Sequence, residues 1–552
     1  MTSQEIKDAL AHLLEGDIDI EEKTLTIYSR DASLFEIKPQ VVIFPKHAKD
    51  VGEIVKWVSE NKQKDPTLSI TARSGGTDMS GGSINNSIIL DFTRYMNAIR
   101  SVKDKVGTVE PGCYYRDFEK ETLKQNWLMP SYTASREICA VGGMVANNAG
   151  GENTVKYGKV EDFLAHLKVV FIDGNEYLIK PLTKAELEAK VAEHGFEGSL
   201  YQKIWELIST HKEKIMAAKP NVSKNSAGYY LWNIWDEKTQ TFDLCKLIVG
   251  SQGTLGIITE IGFKLVEKPA YGSLLAIFMP SLDPLPEIVN EVMVYKPDSF
   301  ETYDDYSLKL AVTFFFDFFA QMGFVNAVKL GLQFFPEALL MLTGGIPKLT
   351  LLVQFTGDTK EDVQARLKEL QNKLAHLKLK SRITKTPIEA EKYWEIRRQS
   401  FNMLRKHVHG KRTAPFVDDI IVKPQHLPEF LPKVEAILDK AKLIYTVAGH
   451  AGDGNFHIIP LMDLNAPYSE DIILDVGKQI YDLVIEYKGS ITAEHNDGIV
   501  RTPYLPMMYG AEIIELFKQT KEIFDPTYIL NPGKKVGGTF EDIKRTLIRK
   551  NN

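Results

Sequence analysis

Apolar positions between residues 40 and 150 recur at two spacings. QVVIFP, LSITARSGG and NNSIILDF are short β-rich runs and predict strands, while KDVGEIVKWVSENKQK repeats its apolar residues at helical spacing. VGTVEPGCYYRDFEKETLKQN predicts a strand, a turn and a helix. HLKVVFIDGNEY predicts a strand pair closed by Asp173-Gly174, and KLIVG, around residue 247, a further strand leading into SQGTLGIITEIGFKL. Three glycine-rich loops follow strands: RSGGTDMSGGS (73–83), AVGGMVANNAGGENTVKYGKVED (140–162) and the run with glycines at 250, 253 and 256. The region to about residue 270 therefore reads as a mixed α+β unit, and loops on such a frame are where ligands are usually held. Glycine permits φ > 0 and close approach to the backbone, as a phosphate-wrapping loop requires. RSGGTDMSGGS is neither GxGxxG nor GxxxxGK[ST], so no standard nucleotide motif names its ligand.

A second unit begins at PAYGSLLAIFMPSLDPLPEIV. It holds an apolar segment, Leu308 to Leu352, then a charged helix (KEDVQARLKELQNKLAHLK) and the long helix pattern IEAEKYWEIRRQSFNMLRKHV. Asp317, Lys329 and Glu337 break the apolar segment below the roughly 18 residues that a spanning helix requires. It reads either as buried helices of a large domain or as a peripheral membrane or partner surface. The chain closes with EIIELFKQTKEIFDPTYILNPGKK, a helix ended by a proline turn. No internal repeat or low-complexity linker separates the units, so close packing is expected.

Composition narrows the class. A chain of 552 residues exceeds one core, and 44% apolar, 25% charged and a net charge of −6 describe a soluble globular protein. Nothing is strongly basic, which argues against a nucleic-acid partner. MTSQEIKDALAHLLEGDIDIEEKT is an acidic amphipathic helix pattern without an apolar signal core, so secretion is not expected. Cys113, Cys139 and Cys245 are isolated and build no disulfide framework, zinc ribbon or four-cysteine iron–sulfur run. The expected location is cytoplasmic, with contact to the inner membrane face through 308–352 as the second reading of that segment.

The strongest local chemistry lies in IYTVAGHAGDGNFHIIPL, residues 444–461. Two β-patterned runs flank Asp453-Gly454, a two-residue hairpin signal. A turn centred there sets His450 opposite His457, with Cβ atoms about 5 Å apart, and Gly452 opposite Asn455 on the same face. Facing imidazoles suit a divalent transition metal, or are satisfied by ordinary hydrogen bonds; a longer turn changes the pairing but not the proximity. GSITAEHNDGIVRTPY offers Glu494 and His495, whose side chains point to opposite faces if the run is extended. One of them can then bind metal while the other faces a substrate. In YWEIRRQSF only one of Arg397 and Arg398 can readily point into a given pocket, where it would suit a carboxylate; the alternative is a solvated pair.

RSGGTDMSGG, PSYTASREICAVGGMVANNAGG, VGSQGTLGIITE, GHAGDGNFH, AEHNDGIVRTPYL and FDPTYILNPGK occur in one order along nearly the whole chain. Together they resemble the flavin-dependent D-2-hydroxy-acid dehydrogenases of the vanillyl-alcohol-oxidase superfamily, the D-lactate, glycolate and D-2-hydroxyglutarate dehydrogenase group. The resemblance implies an α+β fold: a two-part PCMH-type FAD-binding domain over 1–270 and a larger α+β substrate (cap) domain with an antiparallel sheet and the metal site over 271–495. A C-terminal helical segment, 496–552, would pack back near the flavin. It also implies the ligand of the first loop, the FAD pyrophosphate, with Arg73, Ser74, Gly75, Gly76, Thr77 and Asp78 forming the cradle. Pro130, Ser135, Gly142, Gly143, Asn147 and Asn148 would line the isoalloxazine and ribityl portion. Gly253, Thr254, Gly256, Ile257 and Ile258 would hold the adenosine end, with Asn531 near the flavin ring.

The same resemblance makes His450, His457 and Glu494 the ligands of a divalent ion, zinc or manganese, with His495 the general base. Arg397 would grip the substrate carboxylate, and Asn455 would contact substrate or flavin. The implied reaction oxidises a small D-2-hydroxy acid to its 2-oxo acid by hydride transfer to flavin N5, with D-lactate-like acids as lead and D-2-hydroxyglutarate or glycolate as alternatives. Two departures matter. Relatives with AEHNDG often carry a carboxy-terminal iron–sulfur domain, but little sequence follows LNPGK here, so quinone, an electron-transfer flavoprotein or a separate iron–sulfur subunit is expected as acceptor. Gln252 stands where GSEGTLG is common, and Thr77 stands where some members carry a histidine that tethers the flavin, so the FAD is expected to be dissociable. The competing readings are a catalytically silent flavin-binding subunit of a redox complex and a metal-dependent hydrolase without flavin.

Overall fold

The computed structural model describes residues 1–305, 346–386, 388–394, 396–397 and 410–549. Most of the apolar segment 308–352, together with Arg398 and the end of the long helix pattern, lies outside the described residues.

The first unit is built on two main sheets, beside two small ones of two and three short strands. Asp17–Asp19, Val41–Phe44, Ile88–Asp91 and Ile70–Arg73 form one in that order, and the last three strands run parallel. Val41–Phe44 and Ile88–Asp91 are buried at every position, as a parallel sheet covered on both faces requires. Helix Ala48–Asn61 buries Val51, Ile54, Val55 and Val58. The second sheet is antiparallel, in the order Ile99–Lys103, Val106–Val109, Ile257–Lys264, Leu164–Val170, Glu176–Ile179. Asp173 and Gly174 lie in the turn that closes the last pair, as expected.

Two local expectations change. KLIVG is not a strand: Cys245–Ile248 is one helical turn, started by the Asp243 carboxylate accepting from Cys245 N and continued by Val249 N donating to Cys245 O. A run this short lacks the periodicity that separates the two states. The stretch 140–162 is not all loop either. Val141–Asn147 is a helix despite two glycines, and Asn148 in the left-handed region (φ +49°) ends it.

The chain crosses to the second unit between Glu267 and Tyr271. There the strands Lys380–Ile383, Tyr271–Met279, Leu349–Gly357, Ser299–Asp304, Ile444–His450, Asn455–Met462 and Arg412–Thr413 form one antiparallel sheet, with Ile420–Ile421 paired to Asn455–Met462. Alternation assigns its faces. Leu275, Ile277, Val353 and Phe355 join the core that includes helices Leu285–Val294 and Lys360–Lys373, whereas Leu274, Ala276, Tyr303 and Leu352 pack with Tyr393, Trp394 and Ile396. The segment carrying Arg397 therefore covers the same face as Tyr303 and Glu301.

The helical run Leu505–Phe524, broken at Gly510 (φ +73°), packs against Phe196–Thr210 and leads the chain back to the first sheet. Ile70 N donates to Ile529 O at 2.7 Å and Asn531 N to Ile70 O at 2.8 Å, so LNP extends beside strand Ile70–Arg73. Among the described residues no helix is long and apolar enough to cross a membrane.

Candidate functional site

The three glycine loops meet around one cleft of ≈ 730 Å³, open solvent at its mouth included. Arg73, Ser74, Gly75, Gly76, Thr77 and Asp78 line it, with Gly142, Gly143 and Asn147 from the second loop and Gly253, Gly256 and Ile258 from the third. A Cβ added at Gly143 would meet only Ser74 Cβ, at 4.0 Å, and one at Gly253 only Ala72 Cβ, at 3.7 Å. Nothing in the protein crowds either position, so the missing side chains leave room for a ligand. A glycine-lined wall of this size fits a dinucleotide pyrophosphate.

Six expected cofactor residues are not part of this wall. Asn531 is wholly buried and clamps the loops: its Nδ2 donates to Gly82 O (2.8 Å) and Gln252 O (2.7 Å), and its Oδ1 accepts from Thr71 Oγ1 (3.0 Å). Thr254 bonds the Tyr229 hydroxyl and Ser251 O, and Ile257 is a core residue. Asn148 caps its helix and accepts from Glu161 N. Pro130 accepts from Asn153 Nδ2, and Ser135 bonds the Thr133 hydroxyl.

The histidine hairpin has another register. His450 pairs with Asn455, and Ala448 with His457, around a four-residue loop, Ala451–Gly454. The Asp453-Gly454 pair does not make the turn alone, because Asp453 N and Gly454 N both donate to His450 O and the Asp453 carboxylate faces the buried Lys224 Nζ at 2.9 Å. The shift is two residues, which preserves the face. His450 and His457 become diagonal neighbours, and their Nε2 atoms lie 3.3 Å apart. His450 Nε2 is also 3.4 Å from Glu494 Oε1. Ligand atoms 2.0–2.1 Å from a tetrahedral ion stand about 3.3–3.4 Å from one another, and these two spacings are of that size. Glu494 also abuts the second glycine loop: a Cβ at Gly150 would sit 2.8 Å from its Oε1.

Carboxylates behind the imidazoles fix which nitrogen faces inward. His450 Nδ1 is 2.6 Å from Glu301 Oε1, and the other Glu301 oxygen pairs with Arg397. Asp418 spans two rings, Oδ1 to His457 Nδ1 at 3.2 Å and Oδ2 to His495 Nδ1 at 2.5 Å, and His457 and His495 stack at 4.9 Å between centroids. Asp419, Glu494, His457 and His495 also cluster closely enough to suggest a metal set. Asp419 is nevertheless engaged otherwise: its Oδ2 accepts from Thr492 Oγ1 and from the N–H groups of Ala493, Glu494 and His495, and its Oδ1 accepts from Asn455 Nδ2. It anchors the Glu494–His495 segment and adopts a left-handed φ of +74° to do so.

Electrostatics follow. Burial alone would lower the His495 pKa, but the Asp418 and Asp419 carboxylates outweigh it and lift it to about 9. Burial would raise Asp418, yet His495 and His457 hold it well below the usual carboxylate range. Glu494 is likewise held low against burial, chiefly by Lys224, whose Nζ lies 2.6 Å from its Oε1. His495 keeps 26% of its side chain exposed, whereas His450, Glu301 and Asp418 are buried. Sequence reasoning missed Glu301, Asp418, Asp419, Lys224 and the wholly buried Arg501, which donates to Asp418 O and Asn496 O.

Residues 39–178 match the FAD binding domain, and residues 268–535 match the C-terminal domain of FAD linked oxidases. The chain thus carries both of these domains in one order. It is 28% identical over 532 residues to the D-2-hydroxyglutarate dehydrogenase of Pseudomonas putida, covering 94% of this chain and 50% of that one. This chain thus spans about half the length of that relative. The glycolate oxidase subunit GlcD of Bacillus subtilis is 25% identical, with 92% and 91% covered. In fold it is similar to p-cresol methylhydroxylase, at a TM-score of 0.67, 17% identity and 98% and 97% coverage.

Proposed function

We propose that the chain is an FAD-dependent dehydrogenase that oxidises a D-2-hydroxy acid, with D-lactate-like acids as lead, to the 2-oxo acid. The observation that carries this is the convergence of His450 Nε2, His457 Nε2 and Glu494 Oε1 beside a partly exposed His495, with Glu494 packed against Gly150 of the second glycine loop. When bound, FAD accepts hydride at N5, and a divalent ion, zinc or manganese, polarises the substrate hydroxyl.

The chain's own residues do the rest. Amides of Ser74 to Asp78 hold the pyrophosphate, and His450, His457 and Glu494 hold the ion. Arg397, fixed by Glu301 beside His450, grips the substrate carboxylate. His495 takes the hydroxyl proton at Nε2, because Asp418 occupies Nδ1. The Asp418 and Asp419 carboxylates, which lift His495 to about 9, favour its protonated form at neutral pH, and a divalent ion held on Glu494 would favour the neutral base instead. The amide nitrogen of Asn455 is committed to Asp419 and Ile420 O, which leaves its Oδ1 to accept from substrate or flavin. The electron acceptor implied for such a chain would be quinone, an electron-transfer flavoprotein or a separate iron–sulfur subunit.

The names of the relatives favour D-2-hydroxyglutarate or glycolate as second readings. A dicarboxylate needs a second cation, and Lys411 and Arg412 are exposed at the edge strand Arg412–Thr413. Anaerobic bleaching of the flavin by a panel of D- and L-2-hydroxy acids tests the proposal. If none of them reduces the flavin, the function is wrong; the substrate that bleaches fastest ranks the readings.

A further inference from the structure

Asp78 stands in the cofactor loop, and Gly498 follows the Glu494–His495 pair. A chain of hydrogen bonds, each donated in the same sense, joins them. Gly498 N donates to Gln252 Oε1 at 2.8 Å, Gln252 Nε2 to Asn147 Oδ1 at 3.2 Å, and Asn147 Nδ2 to Asp78 Oδ1 at 2.8 Å. Its two ends fix every amide between them. An N–H can only donate and a carboxylate can only accept, so neither Gln252 nor Asn147 can turn over without breaking the chain. Gln252 also donates to Ser80 Oγ at 3.1 Å, and the Ser80 carbonyl accepts from Ile499 N at 2.9 Å. Gly498 sits at φ +51°, where an added Cβ would collide with that carbonyl, so the two segments touch without intervening side chains. Asn496 completes the contact, its Nδ2 donating to Asn147 O and Gly250 O.

We propose that Gln252 is a positioning residue that makes FAD and the divalent ion bind cooperatively. Pyrophosphate seated on residues 74–78 orders Asp78, and the chain through Asn147 and Gln252 passes that order to the segment presenting Glu494 and His495. The linkage to metal rests on the ligand set proposed above. A glutamate at 252 could accept from Gly498, but it could donate to neither Ser80 nor Asn147. Gln252→Glu therefore breaks the chain while keeping the side-chain volume.

Two measurements on the full chain test this. Zinc is titrated by calorimetry into FAD-free and FAD-reconstituted protein, and amide hydrogen exchange is followed across 494–500. In the wild type, FAD tightens zinc at least about fivefold, zinc tightens FAD by the same factor, and FAD alone slows exchange across 494–500. In Gln252→Glu and Gln252→Leu both ligands still bind, the factor falls to about one, and FAD no longer protects the segment. If Gln252→Leu does not fold, Gln252→Glu decides. Equal coupling in wild type and Gln252→Glu, or a wild-type factor of one with unchanged exchange, overturns the role of Gln252. If zinc does not bind the wild type at all, the metal reading fails. Protection of 494–500 by FAD, lost in Gln252→Glu, would then still support the positioning role, and its persistence in that variant would remove it.

Discussion

His450 Nε2 and His457 Nε2 lie 3.3 Å apart although neither residue is the other's partner across the hairpin. The four-residue loop sets them diagonally, and their approach is then decided behind the rings. Glu301 reaches His450 from the neighbouring strand, and Asp418 reaches His457 from the segment before Ile420–Ile421. With both Nδ1 atoms on carboxylates, the two Nε2 atoms are the ring nitrogens left to face each other.

Asp418 ties His457 to His495, which predicts different losses at the two positions. His495→Ala removes the proposed base and should slow anaerobic flavin bleaching about 10²- to 10⁴-fold. Asp418→Asn keeps both imidazoles but loses their orientation, and should cost about 10- to 100-fold in activity or metal affinity. Stopped-flow reduction of each reconstituted variant reads both numbers. A His495→Ala enzyme that bleaches at the wild-type rate would remove the base.

The cofactor should come away from the protein intact. Thr77 lines the cleft where a tethering histidine would stand, and a hydroxyl offers no imidazole nitrogen to bond the flavin. Acid precipitation should leave the yellow colour in the supernatant; colour retained in the washed pellet would contradict this.

Asp31 lies under the cofactor loop, with Oδ1 bonded to Ser33 N and Oγ and Oδ2 to Ser83 Oγ at 3.0 Å. Burial first and the Asp78 charge second raise its pKa to about 6. The folded state then holds a proton more tightly than the unfolded chain, so this group's stability is present below about pH 4 and lost as pH rises through about 6. Asp31→Asn should therefore stabilise the apoprotein by roughly 1–3 kcal/mol at pH 7.5 and by little at pH 4. Denaturant melts at both pH values check the difference, and an equal effect at both would show that the charge is not responsible.

Much of the frame was legible because its signals are local. The continuous β-rich runs in QVVIFP and NNSIILDF, the glycine loops and the HAGDGNFH hairpin each speak within a few residues. What escaped depends on distant partners. Glu301 is one acid in SFETYD, and Lys224 one lysine in NVSKNS; neither stretch says that its charge will be buried against residues 149 and 270 positions away. Asp418 and Asp419 left a trace, since adjacent acids inside the apolar run PFVDDIIV are costly unless partnered. Asn531 was legible as a motif residue, but its work as a clamp between loops appears only when Gly82 and Gln252 converge on it.

Lys224 gives the sharpest test of the metal site. Its ammonium is wholly buried and lies 2.6 Å from Glu494 Oε1 and 2.9 Å from Asp453 Oδ2, and these charges drive its pKa up despite burial. It is the cation that offsets Glu494 when no ion is bound. Lys224→Met leaves two buried carboxylates facing each other, at an expected cost of roughly 3–5 kcal/mol in chelator-treated protein. A divalent ion on His450, His457 and Glu494 would restore much of that loss, because it supplies the missing positive charge to the same oxygen. Thermal melts of wild type and Lys224→Met, each with EDTA and with excess zinc or manganese, read this directly. The variant should gain markedly more from the ion than the wild type does; equal gains would mean that Glu494 is not a ligand.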